Sequence, residues 1–156
     1  MRLYSDTLLQ VFFFVVQLFG FVWWLRGRDA EGDLIVRRLS KQQVLMTVVA
    51  AVVGTIVLGA AMSRWTDAAL PFPDAAIASM SVLAQILLAR RFLENWLLWI
   101  TVDVLAIGVY FSKDLHPTAV LYGIFLLLAI TGLLDWRRAL NLQTAKWERR
   151  WKTRPR

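Results

Sequence analysis

Long apolar stretches recur along this chain, and they limit what it can fold into. Each approaches the roughly 17 to 25 residues that a helix needs to cross the hydrocarbon core of a bilayer. Lipid offers the backbone no hydrogen-bonding partner, so a segment that crosses it must be a helix that satisfies its own peptide groups. We therefore predict five membrane-spanning helices, at 7–25, 43–62, 74–89, 96–111 and 118–136.

The composition agrees with a protein that lies in a membrane. Hydrophobic residues make up 58% of the 156 residues and charged residues 19%, whereas a soluble domain carries about 25% charged residues. The predicted fold is an all-α, polytopic helical bundle, with a transmembrane domain at 1–139 and a basic tail at 140–156. Because the third span begins at Asp74 after a Pro71-Phe72-Pro73 turn, an interfacial segment is the alternative for it.

Basic residues give the chain a net charge of +7, and they flank the predicted spans. Lys and Arg gather in short loops on the cytoplasmic side of a membrane. Three segments are rich in them, whereas the alternate loops hold Arg64 and Lys113 alone. We therefore expect an outside N-terminus, a cytoplasmic C-terminus and no nucleic-acid partner. The basic groups are Arg26, Arg28, Arg37, Arg38 and Lys41; Arg90 and Arg91; and Arg137, Arg138, Lys146, Arg149, Arg150, Lys152, Arg154 and Arg156.

The residue types that build metal centres and enzyme nucleophiles are scarce. The sequence has no cysteine and a single histidine, His116, which excludes disulfides and thiolate metal sites. It also lacks a glycine-rich phosphate loop and a nucleophile motif. We expect no metal and no cofactor. An enzyme is the weakest interpretation, because Glu94 and Asp103 have no nucleophile or metal set beside them.

An internal repeat relates the two ends of the sequence. Spans one and five match at an offset of 112 residues. Spans that are four crossings apart share an orientation, which is typical of parallel repeats in transporters. The matching pairs are Leu3 and Leu115, Leu9 and Leu121, Phe13 and Phe125, Gly20 and Gly132, Trp24 and Trp136, and Arg26 and Arg138.

Polar side chains in the fourth span form the strongest candidate for a binding site. Asn95, Trp99 and Asp103 follow one another at a spacing of four residues, which places them on one side of a helix. An aspartate inside a span costs roughly 2.5 to 3.5 kcal/mol on insertion scales, so it should face a cavity or a polar partner. The alternatives are that Asp103 pairs with another helix and that Trp96 and Trp99 belong to an interfacial aromatic belt.

Carboxamide side chains supply further candidates in two other spans. Gln10, Gln17 and Trp24 are spaced by seven residues in the first span and therefore stack on one side of it. Gln85 in the third span and Tyr122 in the fifth are comparable. Such glutamines can recognise the amides and hydroxyls of a ligand, or they can simply join two helices. The second span, with Gly54 and Gly59, is expected to be a packing or linker helix.

Two stretches of this sequence resemble the PnuC-type nicotinamide riboside transporters. The first is Leu8-Leu9-Gln10-Val11-Phe12-Phe13-Phe14, followed by Gly20 and Trp24. The second and more specific one is Ala89-Arg90-Arg91-Phe92-Leu93-Glu94-Asn95-Trp96-Leu97-Leu98-Trp99. The resemblance extends from Leu3 to about Arg138. It implies the layout of that family, in which a linker span separates two parallel repeats of three.

The resemblance also implies a function. A transporter of this kind in the bacterial inner membrane would carry nicotinamide riboside down its gradient by alternating access. A cytosolic nucleoside kinase would then trap the nucleoside by phosphorylating it. An indole face, carboxamides and a carboxylate suit a cationic aromatic amide that carries ribose hydroxyls. The substrate role falls on Gln17, Asn95, Trp96, Trp99 and Asp103, and with less support on Gln10 and Gln85.

The sequence begins at the third span of the family's layout, so the first two helices of the first repeat are absent. Either the chain continues a longer protein, or it forms a homo-oligomer in which a second copy supplies the missing surface. Other substrates within the same fold, such as thiamin or riboflavin, remain open. So does a non-transporting assembly or regulatory subunit that uses the Arg-rich tail for lipid or partner contact.

Overall fold

A computed structural model describes residues 35–152, without the side chains of Arg150 and Trp151. The first predicted span, with Gln10, Gln17 and Trp24, lies outside the described residues. The described region is helical, with one isolated bridge between Arg37 and Phe92. Its helices are α1 (Lys41–Trp65), α2 (Pro71–Ala89), α3 (Asn95–Ser112) and α4 (His116–Lys152). All four are long and apolar enough to cross a membrane.

The first of these helices, α1, is apolar on every side. It begins at a capping box, in which the Ser40 hydroxyl accepts from the Gln43 N–H and the Gln43 side chain accepts from the Ser40 N–H. Gly59 is its one buried residue, and large side chains such as Leu45 and Val57 are more than 60% exposed. A helix of this kind is stable when lipid covers its surface.

Helices that follow one another in sequence pack side by side, α1 on α2, α2 on α3 and α3 on α4. Small residues allow the first of these contacts. A Cβ placed at Gly54 would lie 3.1 Å from the Ser79 hydroxyl, and one at Gly59 would lie 2.5 Å from the Phe72 ring. The helix α1 corresponds to the second predicted span, and its close contacts with α2 are those expected of a packing helix.

The helix α2 starts with Pro71 at a position where its missing N–H is not needed. Asp74 lies in the first turn of this helix. Its carboxylate accepts two hydrogen bonds from the Lys113 ammonium, at 2.8 and 2.7 Å, and Lys113 is the C-cap residue of α3. Because α2 is a full helix packed between two neighbours, the structure favours the spanning interpretation of this segment over the interfacial one.

The short loop 90–94 joins the C-terminal end of α2 to the N-terminal end of α3. The 36–40 segment, which precedes α1, lies against this loop. Arg91 adopts a positive φ of 61° in this loop. The Arg37 N–H donates to the Arg91 carbonyl and the Leu93 N–H donates to the Arg37 carbonyl, both at 2.9 Å. The Leu39 N–H donates to the Glu94 carboxylate at 3.1 Å. Glu94 therefore has a structural partner in the backbone of the 36–40 segment.

The last helix, α4, is much longer than a bilayer core. Its 37 residues correspond to about 55 Å at 1.5 Å per residue. It continues through the predicted domain boundary at 139 without a break, so residues 140–152 of the basic segment form its final turns. Gln143 in this extension accepts a hydrogen bond from the Val36 N–H at 3.2 Å.

The predicted all-α membrane bundle is confirmed. The parallel-repeat layout and the division into domain and tail stay predictions, because one member of the repeat lies in the region of the chain that is not described.

We expect the Asp74–Lys113 ion pair to stabilise the packing of α2 on α3. Its side chains are each 23% exposed. The negative charge of Asp74 lies at a helix N-terminus and the positive charge of Lys113 at a helix C-terminus, so each interacts favourably with the dipole of its helix. Lys113→Ala should lower the free energy of unfolding by about 1 kcal/mol, measured by thermal unfolding in detergent. The charge swap Asp74→Lys with Lys113→Asp should recover only a fraction of this loss, because both charges then oppose the helix dipoles. Full stability of Lys113→Ala would contradict the assignment.

Candidate functional site

A cleft of about 260 Å³ lies between α3 and α4, and α2 contributes one residue to its wall. Most of the lining is aromatic or aliphatic, with one carboxylate and two hydroxyl groups among it. Sites for small organic ligands have this character, a mostly apolar cavity with a few placed polar groups. The lining residues are Ser81, Trp96, Trp99, Val102, Asp103, Tyr122, Phe125, Leu128 and Ala129.

Tyr122, which the sequence also proposed, lines this cleft from α4, and three further proposed residues line it from α3: Trp96, Trp99 and Asp103. They lie within two turns of α3, and a separation of seven residues returns to within roughly 20° of the same helix face. Asp103 is 3% exposed. Among the described residues its carboxylate has no hydrogen bond or ion pair, and the alternative in which it pairs with another helix stays a prediction.

Trp96 is held at the end of the cleft by contacts with α4. Its ring meets the Trp136 ring edge to face, with centroids 5.6 Å apart and planes at 85°. The ring also lies against Gly132, where any Cβ would overlap it. The Trp96 Nε1–H is buried and finds no acceptor in the described region of the protein. The glycine therefore makes room for the indole.

Two other predicted site residues lie elsewhere. Asn95 is fully buried, and its Nδ2 donates to the Phe92 carbonyl at 2.6 Å while Oδ1 has no partner among the described residues. It does not line the cleft, because eight residues of helix separate it from Asp103 by roughly 80° of rotation. Gln85 is exposed on α2 and does not line the cleft either. Binding roles for both stay predictions.

The opposite wall of the cleft is supplied by α4, and Tyr122 is the residue of that wall which the sequence proposed. Tyr122, Phe125 and Ala129 are spaced by three and four residues, the period of one helix face. Tyr122 stacks on Tyr110 of α3, with centroids 5.3 Å apart, and meets Phe125 edge to face at 5.7 Å. Only Tyr122 had a polar atom to mark it in the sequence. The others are indistinguishable there from ordinary apolar positions of a membrane span.

The chemistry that this cleft offers is recognition. Indole and phenol faces attract a cation, and a nearby carboxylate adds to that attraction in a medium of low dielectric constant. No group of three potential metal ligands occurs among residues 35–152. A flat, positively charged ring is the ligand that these side chains suit best.

Helices that can cross a membrane and pack around a cleft define a polytopic helical membrane protein. Residues 1–138 match a known family, described as the nicotinamide mononucleotide transporter family. The chain belongs to this family. The family predicted from the sequence is confirmed, and its members are membrane transporters rather than enzymes.

Individual relatives give the same result. The nicotinamide riboside transporter PnuC of Escherichia coli is 26% identical over 160 residues, covering 86% of this chain and 67% of that protein. The riboflavin/roseoflavin transporter RibM of Streptomyces davaonensis is 29% identical, covering 78% of this chain and 58% of that protein. The crystal structure of the vitamin B3 transporter PnuC superposes with a TM-score of 0.65 at 28% identity, over 85% of this chain and 60% of the solved one. The chain thus spans about two thirds or less of each.

Gly132→Ala should displace the Trp96 indole, because the added methyl group occupies the space of the ring. We expect a shift in tryptophan fluorescence and a free energy of unfolding that is lower by about 1 to 3 kcal/mol. Gly123→Ala is the matched control, since it lies on the same helix and has open space around its Cβ position. Equal behaviour of the two variants in fluorescence and thermal unfolding would show that Trp96 does not depend on Gly132.

Proposed function

We propose that this chain belongs to a transporter that carries nicotinamide riboside across the membrane, with the α3–α4 cleft as its substrate site. The observation that carries the proposal is the convergence of Trp96, Trp99 and Asp103 with Tyr122 and Phe125. Two of the relatives reported above are named as transporters of nicotinamide riboside or vitamin B3.

The ligand matches the cleft in charge and in shape. Nicotinamide riboside contains a flat pyridinium cation, a carboxamide and a ribose. Trp99 and Tyr122 offer aromatic faces to the cation, and Asp103 offers a carboxylate. The Trp96 Nε1–H, which finds no acceptor among residues 35–152, is a donor for a carbonyl or hydroxyl oxygen. Substrate-binding roles are proposed for Gln10 and Gln17 of the first predicted span as well.

Transport in this proposal is facilitated diffusion through alternating access. The protein lies in the bacterial inner membrane with its C-terminus in the cytoplasm, because loops rich in Lys and Arg favour the cytoplasmic side. A cytosolic nucleoside kinase keeps the inner concentration of free substrate low by phosphorylating it.

Riboflavin is the second candidate substrate, because the relative RibM is named for it. Its ring system is neutral and has three fused rings, so it gains nothing from the charge of Asp103 and needs a longer slot. Thiamin shares a positive charge with nicotinamide riboside but lacks the ribose hydroxyls. A regulatory subunit that acts through the basic end of α4 is the alternative without transport.

Trp99→Ala should remove most of the binding of nicotinamide riboside. Loss of one stacking face for a cationic ring corresponds to about 1 to 2 kcal/mol, or a Kd roughly ten times higher, measured by calorimetry on the purified chain. Trp65→Ala is the control, because Trp65 is 81% exposed at the end of α1. If both variants bind as the parent does, the cleft is not the site.

Asp103→Asn should separate charge recognition from hydrogen bonding. We expect a Kd for nicotinamide riboside at least tenfold higher, and an unchanged Kd for its reduced form, whose ring carries no charge. The physical reason is that the amide keeps the size of the carboxylate and one acceptor oxygen but cannot balance a cation. Equal effects on the two ligands would show that Asp103 acts through hydrogen bonds alone.

A further inference from the structure

Two aromatic pairs connect α3 and α4, and the cleft lies between them. Trp96 meets Trp136 at one end and Tyr110 meets Tyr122 at the other. In each pair one ring lines the cleft and the other does not: Trp96 and Tyr122 are lining residues, whereas Trp136 and Tyr110 stand behind them. The arrangement is the same at both ends, with the two helices exchanging roles.

The spacing of these pairs is regular. Tyr110 follows Trp96 by 14 residues, and Trp136 follows Tyr122 by 14. The short turn 113–115 makes the two helices antiparallel, so both pairs belong to one register, about 21 Å apart along the helix axes. Asp103 lies seven residues from Trp96 and seven residues from Tyr110. The carboxylate is therefore halfway between the two pairs.

Each pair is supported from outside the cleft. At the tyrosine end, the Lys113 ammonium lies 6.0 Å from the centre of the Tyr110 ring and is paired with Asp74 of α2. At the tryptophan end, Trp136 is 8% exposed and Gly132 receives the Trp96 ring. The cleft therefore has one aromatic pair on either side of it along the helix axes.

We propose that the Tyr110–Tyr122 pair and the Trp96–Trp136 pair are the two barriers of the transport path, each closing the site toward one side of the membrane. This inference rests on the proposed function, and it assigns roles to Tyr110 and Trp136, which do not line the cleft. They are positioning residues, because they hold Tyr122 and Trp96 across the path. Separation of the rings in a single pair opens the site to one side only.

The absence of cysteine from the sequence allows a direct test. Ser81→Cys places a single thiol in the wall of the cleft, and its rate of reaction with a membrane-impermeant methanethiosulfonate reports access from each side of oriented vesicles. Tyr110→Ala in this background should raise the rate at least tenfold from the side of Lys113 and leave the other side unchanged. Trp136→Ala should do the reverse.

Matched substitutions identify the cause. Phe111→Ala removes a neighbouring ring that contacts His116 rather than Tyr122, and Trp147→Ala removes an exposed indole of the same helix as Trp136. Both should label at the parental rate. Tyr110→Phe and Trp136→Phe keep an aromatic ring and should restore slow labelling, which separates a barrier from a loss of folding. Equal rates for Tyr110→Ala and Phe111→Ala, or faster labelling from both sides, would overturn the proposal.

Nicotinamide riboside provides a separate arm. Added to the Ser81→Cys protein, it should protect the thiol from the reagent. Sided labelling without protection would retain the barriers and remove the proposed substrate. Protection without sided labelling would retain the substrate site and remove the barriers.

Discussion

The contact of the Trp96 ring with the backbone of α4 at Gly132 is the interaction on which the site depends. It allows α3 and α4 to approach closely and fixes their register, since Trp136 then meets the same indole edge to face. With this end fixed, the cleft opens where α4 presents Ala129 toward the α3 stripe of Trp99 and Asp103. A larger residue than glycine would separate the helices at the place where their alignment is set.

The ends of the helices carry the other constraints. At one end the 36–40 segment hydrogen-bonds to the 90–94 loop and, through Val36, to Gln143 of α4. At the other end the Asp74–Lys113 pair connects α2 to α3. These polar contacts lie where the helices end, whereas the middle of the bundle is held by apolar packing. Asp103 is the exception, a carboxylate in the middle of a span, and its position inside the cleft agrees with a function in recognition.

Much of this could be predicted from the sequence, because a membrane gives apolar length a direct meaning. The four described helices follow from apolar runs of about the length that a helix needs to cross a bilayer while satisfying its own backbone hydrogen bonds. Trp99 and Asp103 could be predicted from their spacing within one span, and Trp96 from the motif it shares with a known family. These inferences concern single helices, whose periodicity is visible in the chain.

The remaining features depend on contacts that no periodic pattern in the sequence reveals. Phe125 and Ala129 line the cleft, but nothing in their residue type distinguishes them from lipid-facing positions. Asn95 looked like a member of the α3 stripe, yet its Nδ2 bonds back to the Phe92 carbonyl at the start of the helix. The partner of Glu94 is a backbone N–H of Leu39, a contact that leaves no pattern in the sequence.

Calorimetry with nicotinamide riboside, thiamin and riboflavin on the purified chain tests the central claim most directly. We predict that nicotinamide riboside binds with a negative change in heat capacity, as apolar surface is buried on both sides of its ring. Thiamin should bind more weakly and riboflavin not at all, since one lacks the ribose and the other the charge. Preferential binding of riboflavin, or no binding of any of the three, would contradict the claim that this cleft recognises a cationic nucleoside.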